Sequence, residues 1–149
     1  YPIISIEDPF AEEDINLFAD FKSEAPSYLQ IVGDDLVVTN PELIKLAHKK
    51  KAINTVLIKP NQVGTISETF NALKQSENLN LHTILSARSG ETEDNFISDL
   101  SVGWNMRQLK VGSFSRSERL SKWNQCLRIG EKLNNNFAMH TPPNIWDKL

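Results

Sequence analysis

The stretch IVGDDLVVTNP, residues 31–41, decides how the chain is read. A short apolar run ends in Gly33 and two adjacent aspartates. A helix start follows at Asn40-Pro41, a capping residue with proline at the first helical position. A carboxylate at the end of a buried strand is costly unless something binds it. Asp34 and Asp35 thus stand at a strand end and call for a compensating partner.

The same order recurs along the chain. Residues 2–6, 28–32, 55–58, 81–85 and the shorter 108–109 form apolar runs, the continuous pattern of strands covered on both faces. The segments between them have helical period. Leu43, Leu46 and Ala47 are expected on one buried face, as are Ile66, Phe70 and Leu73, then Phe96 and Leu100, then Leu120, Trp123 and Leu127. Thr65 with Glu68, and Ser115 with Glu118, have capping-box spacing. Residues 12–21 read as a further helix.

This βαβα order predicts a parallel sheet. Glu7, Asp34, Lys59, Ser86 and Lys110 close the five runs, recurring every 24 to 27 residues. Parallel strands put their C-terminal ends on one face, so these groups should converge. In a (β/α)₈ barrel that face carries the chemistry, and in a doubly wound sheet it is the ligand crevice. Eight units of about 25 residues make about 200, within barrel size. The expected class is therefore α/β: a partial TIM-like (β/α) barrel of five consecutive β-α units with a mainly parallel sheet. An open arc would leave strand edges uncovered, so the remaining strands are expected before Tyr1.

Composition agrees. The 149 residues are 40% apolar and 23% charged with net charge −3, ordinary for a soluble domain and unlike a basic nucleic-acid binder. No apolar run approaches the roughly 20 residues of a membrane helix. Tyr1-Pro2-Ile3-Ile4 lacks an initiator Met and a signal-peptide pattern, so a segment of a longer chain is expected. The single Cys126 excludes an internal disulfide and fits a reducing compartment, with the cytoplasm as the expected location. His48, His82 and His140 share no metal-ligand spacing, and residues 135–149 read as an extended surface terminus.

Chemically, Glu7 and Asp34 on neighbouring strand ends suit a hard cation such as Mg²⁺. Arg88 suits bidentate binding of a carboxylate or phosphate. Lys59, beside a metal and another cation, is a candidate base. Together they fit proton abstraction next to a carboxylate. The GDD triplet alone also marks the metal-binding hairpin of RNA-dependent polymerases, but that needs a strand after the aspartates, and TNPELIKL is helical. Lys49, Lys50 and Lys51 read as a solvated helix end.

IISIEDPF, IVGDDLVVTNP, LIKPNQVGT, SARSGETED and QLKVGSFSRSERLSKWNQ resemble the enolase family, in that order and spacing. The resemblance implies Mg²⁺-dependent, reversible dehydration of 2-phosphoglycerate to phosphoenolpyruvate in glycolysis, usually by a homodimer. It implies that residues 1–149 are the C-terminal part of an enolase-type barrel domain. Carried over by motif, Glu7 and Asp34 are metal ligands and Lys59 is the general base at C2. Arg88 and Ser89 lie on the phosphate and second-metal side, and Lys110 contacts the substrate carboxylate. Two positions depart from the pattern: Ala87 stands where the family has histidine, and Pro60 where it usually has valine. The family's third metal aspartate, general-acid glutamates and closing loops belong to earlier segments, so the chain alone is expected to be inactive. Alternatives are a non-catalytic, enolase-like assembly or binding module whose site has decayed at Ala87, or an acid-sugar member of the wider superfamily.

Overall fold

The computed structural model describes residues 3–134; the expected terminus and His140 lie outside them. Elements follow in the order β1 (Ser5–Glu7), α1 (Ile15–Glu24), β2 (Gln30–Gly33), α2 (Pro41–Lys49), β3 (Thr55–Ile58), α3 (Pro60–Val63), α4 (Ile66–Asn78), β4 (His82–Ser86), α5 (Phe96–Gly103), β5 (Gln108–Lys110) and α6 (Ser117–Lys132). These are the five expected β-α units, with one extra helical turn, α3. The described chain forms two compact units, residues 3–83 and 84–134, dividing within β4.

In the first unit β1, β2 and β3 are parallel, with Glu7 opposite Val32 and Gly33 opposite Val56. All four residues of β3 are buried, as a continuous apolar run requires. β1 departs from that expectation: Ser5 and Glu7 are exposed. The core is filled by Ile31, Val32, Ile53, Val56, Leu57 and Ile58 with Phe18, Ile44 and Leu73 from the helices. Asn54 extends the β2–β3 pairing with its side chain. Its Oδ1 accepts from Ile31 N–H at 2.8 Å and its Nδ2 donates to the Leu29 carbonyl at 2.8 Å. Phe10 meets Phe18 and Phe21 edge-on, at centroid distances of 5.6 and 5.8 Å, and so docks the β1–α1 loop on α1.

The helix starts at residues 40 and 65 form as expected. Asn40 Oδ1 accepts from Glu42 and Leu43 N–H, and Thr65 Oγ1 accepts from Glu68 N–H. Helix α1 lies later than residues 12–21, because Asp14 N–H closes a turn on the Ala11 carbonyl before the helix begins. The buried faces are also rotated from the expected ones. Helix α2 buries Ile44 and Ala47 while Leu46 is exposed. Helix α4 buries Thr69, Ala72, Leu73 and Ser76 while Ile66 and Phe70 are exposed. Thr69 and Ser76 tolerate burial because their hydroxyls donate to the Thr65 and Ala72 carbonyls one turn back.

In the second unit β4 and β5 pair in parallel, with Ser86 opposite Lys110. Helix α5 packs on β5 and on α6. It buries Ile97, Ser98 and Ser101, while Phe96 is exposed. The Ser98 hydroxyl donates to the Lys122 carbonyl at 2.9 Å, again satisfying a buried polar group. On α6, Leu120 and Leu127 are exposed, so the expected apolar face is not buried among the described residues. Ser115 does not cap α6. Its N–H is taken by the Ser113 hydroxyl, and Arg116, in left-handed conformation at φ 74°, precedes the helix instead.

Candidate functional site

The first unit gathers Asp34 and Lys59. Asp34 follows the last residue of β2 and is 6% exposed. Lys59 follows β3 and is held extended (φ −129°) by the proline after it. Because β2 and β3 are parallel neighbours, both side chains emerge at the same end. The Lys59 ammonium pairs with Asp34 Oδ2, and Gln62 Nε2 donates to Oδ1 at 3.2 Å. Lys59 and Asp34 side chains are 12% and 9% exposed, so the pair is largely shielded from water.

A buried threonine ties this pair to the following loop. Thr39 Oγ1 accepts from Lys59 N–H at 3.0 Å and donates to Gln62 Oε1 at 2.5 Å. Val38 and Thr39 adopt positive φ, 42° and 58°. That is an unfavourable conformation for β-branched residues, and such strain persists where surrounding bonds enforce it. Here Val38 N–H donates to the Asp34 carbonyl at 2.7 Å, Asn40 N–H donates to the Val37 carbonyl at 2.8 Å, and the Thr39 hydroxyl adds its two bonds. Pro60 fits without disturbance. It is the first residue of α3, where no N–H partner is required and φ is already helical.

Glu7 ends β1, exposed, opposite Val32 and so near the β2 end that carries Asp34. Beside it, Asp8, Asp34 and Asp35 form an acidic group whose ligand atoms lie within 4.8 Å of one another. Asp8 was missed by sequence reasoning. Its Oδ1 accepts from Asp34 N–H at 3.0 Å and its Oδ2 from Asp35 N–H at 2.7 Å, fixing the turn that presents Asp34. Burial pushes the Asp8 carboxyl up from its ordinary pKa. Those two N–H donors oppose the rise, and the charges of Asp34 and Asp35 add to it. Asp35 is exposed. The donors here are all carboxylate oxygens, a hard set that fits Mg²⁺ better than a softer metal. Each Asp34 oxygen keeps a lone pair beyond its present bond.

The second unit carries the other three residues. Arg88 and Ser89 follow β4, Lys110 ends β5, and all three are exposed. Ala87 is buried, and its N–H donates to the Lys110 carbonyl at 2.9 Å. The loop after β4 is braced by α6. Arg119 donates to the carbonyls of Arg88, Ser89 and Val111, at 2.8, 2.9 and 2.9 Å. Lys122, fully buried, pairs with Glu91 at 3.1 Å and donates to the Thr92 carbonyl. Glu91 Oε1 in turn accepts from Arg88 N–H at 2.8 Å. Sequence reading missed Glu91, Arg119 and Lys122.

Parallel β-α units with acidic and basic groups at the C-terminal strand ends define an α/β protein of the (β/α)-barrel type. The model of the family described as "Enolase, C-terminal TIM barrel domain" matches residues 1–144, and the chain belongs to that family. It is 56% identical over 133 residues to the enolase of Ehrlichia chaffeensis, covering 89% of this chain and 31% of that protein. It is 53% identical over 135 residues to Enolase 1 of Entamoeba histolytica, covering 91% and 31%. It is 52% identical over 133 residues to Enolase 2 of Hevea brasiliensis, covering 89% and 30%. The chain thus spans about a third of the length of these curated relatives.

Proposed function

We propose that residues 1–149 work as the C-terminal part of an enolase barrel within a longer chain that reversibly dehydrates 2-phosphoglycerate to phosphoenolpyruvate. The observation that supports this most is the shielded Lys59–Asp34 pair at adjacent strand ends. It joins a candidate base to a carboxylate suited to Mg²⁺.

In this reading Glu7 and Asp34 hold Mg²⁺, which when bound supplies positive charge toward the substrate carboxylate. In its neutral amine form, freed of the ion pair with Asp34, Lys59 Nζ takes the proton from C2 and becomes the ammonium, while Thr39 holds the Lys59 backbone and Gln62 holds Asp34. Arg88 and Ser89 bind on the phosphate side, and Lys110 binds the carboxylate. The general acid comes from segments other than those described. The reaction belongs to glycolysis, in the cytoplasm, and the assembly is a homodimer. No helix among the described residues is long and apolar enough to cross a membrane.

The test follows phosphoenolpyruvate absorbance with 2-phosphoglycerate and Mg²⁺. The 149-residue chain alone should show no turnover. The same chain joined to the remaining two thirds of the Ehrlichia chaffeensis enolase should show it. Robust turnover by the isolated chain would contradict the role given to the other segments. A joined chain that folds, binds Mg²⁺ and turns nothing over would favour the second reading, a non-catalytic module. That reading draws on Ala87, which offers neither donor nor charge where the family has histidine.

A further inference from the structure

In the second unit one guanidinium meets three main-chain carbonyls from two loops. Arg119 Nη1 donates to the Arg88 and Val111 carbonyls, at 2.8 and 2.9 Å, and Nη2 donates to Ser89 at 2.9 Å. Its side chain is 12% exposed, and the bonds are charge-assisted. The Arg88 and Ser89 carbonyls belong to the loop after β4, and Val111 follows Lys110 at the end of β5. Gly112, at φ 104°, lies against the Arg119 stem, where a Cβ would come within 3.7 Å of Cδ. The loop therefore passes close to the arginine in a conformation that favours glycine. One turn along α6, Lys122 holds the far side of the β4 loop through Glu91 and Thr92.

We propose that Arg119 is a positioning residue for anion recognition. By binding the Arg88, Ser89 and Val111 carbonyls at once, it fixes the spacing at which Arg88 and Lys110 meet a substrate carrying two anionic groups. The inference rests on the enolase reading of Arg88 and Lys110. Arginine is needed because a planar fork can bond several carbonyls in fixed directions, whereas an ammonium is a point charge without that geometry. Arg119 itself touches no substrate, since Nη1 and Nη2 are engaged by the main chain and Nε lies 4.0 Å from Glu118 Oε1.

The distinguishing property is spacing. A ligand with one anionic group needs one of the two loci, and a ligand with two needs both at the right separation. In the full-length chain, with Mg²⁺ present, binding of phosphoenolpyruvate and of inorganic phosphate is measured for the unaltered protein, Arg119→Met and Arg119→Lys. KM and kcat for 2-phosphoglycerate are measured alongside. Both variants should weaken phosphoenolpyruvate binding and raise KM about tenfold or more. Inorganic phosphate binding should change less than about threefold, and lysine should not rescue. Equal weakening of both ligands, or of neither, would overturn the proposal, as would full rescue by lysine. If Arg119→Met does not fold, Arg119→Lys decides. An unaltered protein that binds no phosphoenolpyruvate would instead refute the enolase reading; one that binds it without turnover still permits the spacing test.

Discussion

The ammonium of Lys59 is ion-paired with Oδ2 of Asp34 across the ends of two adjacent parallel strands. The register of β2 and β3 brings them together, and the Asp8 carboxylate and Thr39 hydroxyl fix the backbone on either side. If Asp34 is a Mg²⁺ ligand, the ion stabilises the fold by mass action. In the full-length chain, Mg²⁺ at about 100 times its Kd should raise unfolding free energy by about 2.7 kcal/mol. Asp34→Asn should abolish most of that increase in a denaturant titration. The same gain in both proteins would place the ion elsewhere.

Thr39 has an unfavourable backbone conformation, φ 58°, in a turn closed by main-chain bonds, and its hydroxyl is bonded on both sides. Thr39→Val keeps the shape and leaves Lys59 N–H and Gln62 Oε1 without that partner. A loss of about 1 to 3 kcal/mol in unfolding free energy is expected. Thr39→Ser should recover most of it. A neutral valine variant would show that the hydroxyl does not hold the Lys59 backbone.

Ala87 is the departure that bears on rate. In a catalytically complete chain, Ala87→His should raise turnover of 2-phosphoglycerate by returning a donor near the proposed phosphate site. Ala87 is buried, so the larger side chain should cost about 1 to 3 kcal/mol of stability. An unchanged rate in a folded variant would show that another group already does that work.

Lys22 gives a pH signature independent of the site. Its ammonium donates to the Ile53 carbonyl, and burial, with added repulsion from Lys51, pulls its pKa below the ordinary 10.5. Between the lowered value and 10.5, the unfolded chain binds more protons at this side chain than the folded chain does. Stability from this group should therefore rise with pH through that window. Denaturation across alkaline pH should show a shallower rise in Lys22→Met than in the unaltered protein. Identical slopes would mean that Lys22 titrates alike in both states.

Strand positions were legible because β3 and much of β2 are buried, and burial on both faces leaves continuous apolar runs. Asp34, Lys59 and Lys110 were legible because parallel strands fix where their C-terminal ends fall. The helix faces were less so. Apolarity alone cannot show that Thr69, Ser76 and Ser98 satisfy their hydroxyls on nearby carbonyls and so go inside, while Ile66 and Phe96 stay out. The bracing residues were hidden for a related reason. Asp8 and Arg119 act on main-chain N–H and carbonyl groups, which every residue carries, so no side-chain pattern announces their partners. Gln62 lies three residues after Lys59, and only the short α3 turn brings its amide back onto Asp34.

Lys59 is proposed to remove the C2 proton of 2-phosphoglycerate beside a metal held by Asp34. Solvent deuterium exchange into C2, followed by proton NMR with the full-length chain and Mg²⁺, tests it most directly. The unaltered protein should incorporate deuterium at C2, and Lys59→Ala should slow incorporation by about 10² to 10⁴ while still binding phosphoenolpyruvate. Exchange at an undiminished rate in Lys59→Ala would contradict the account.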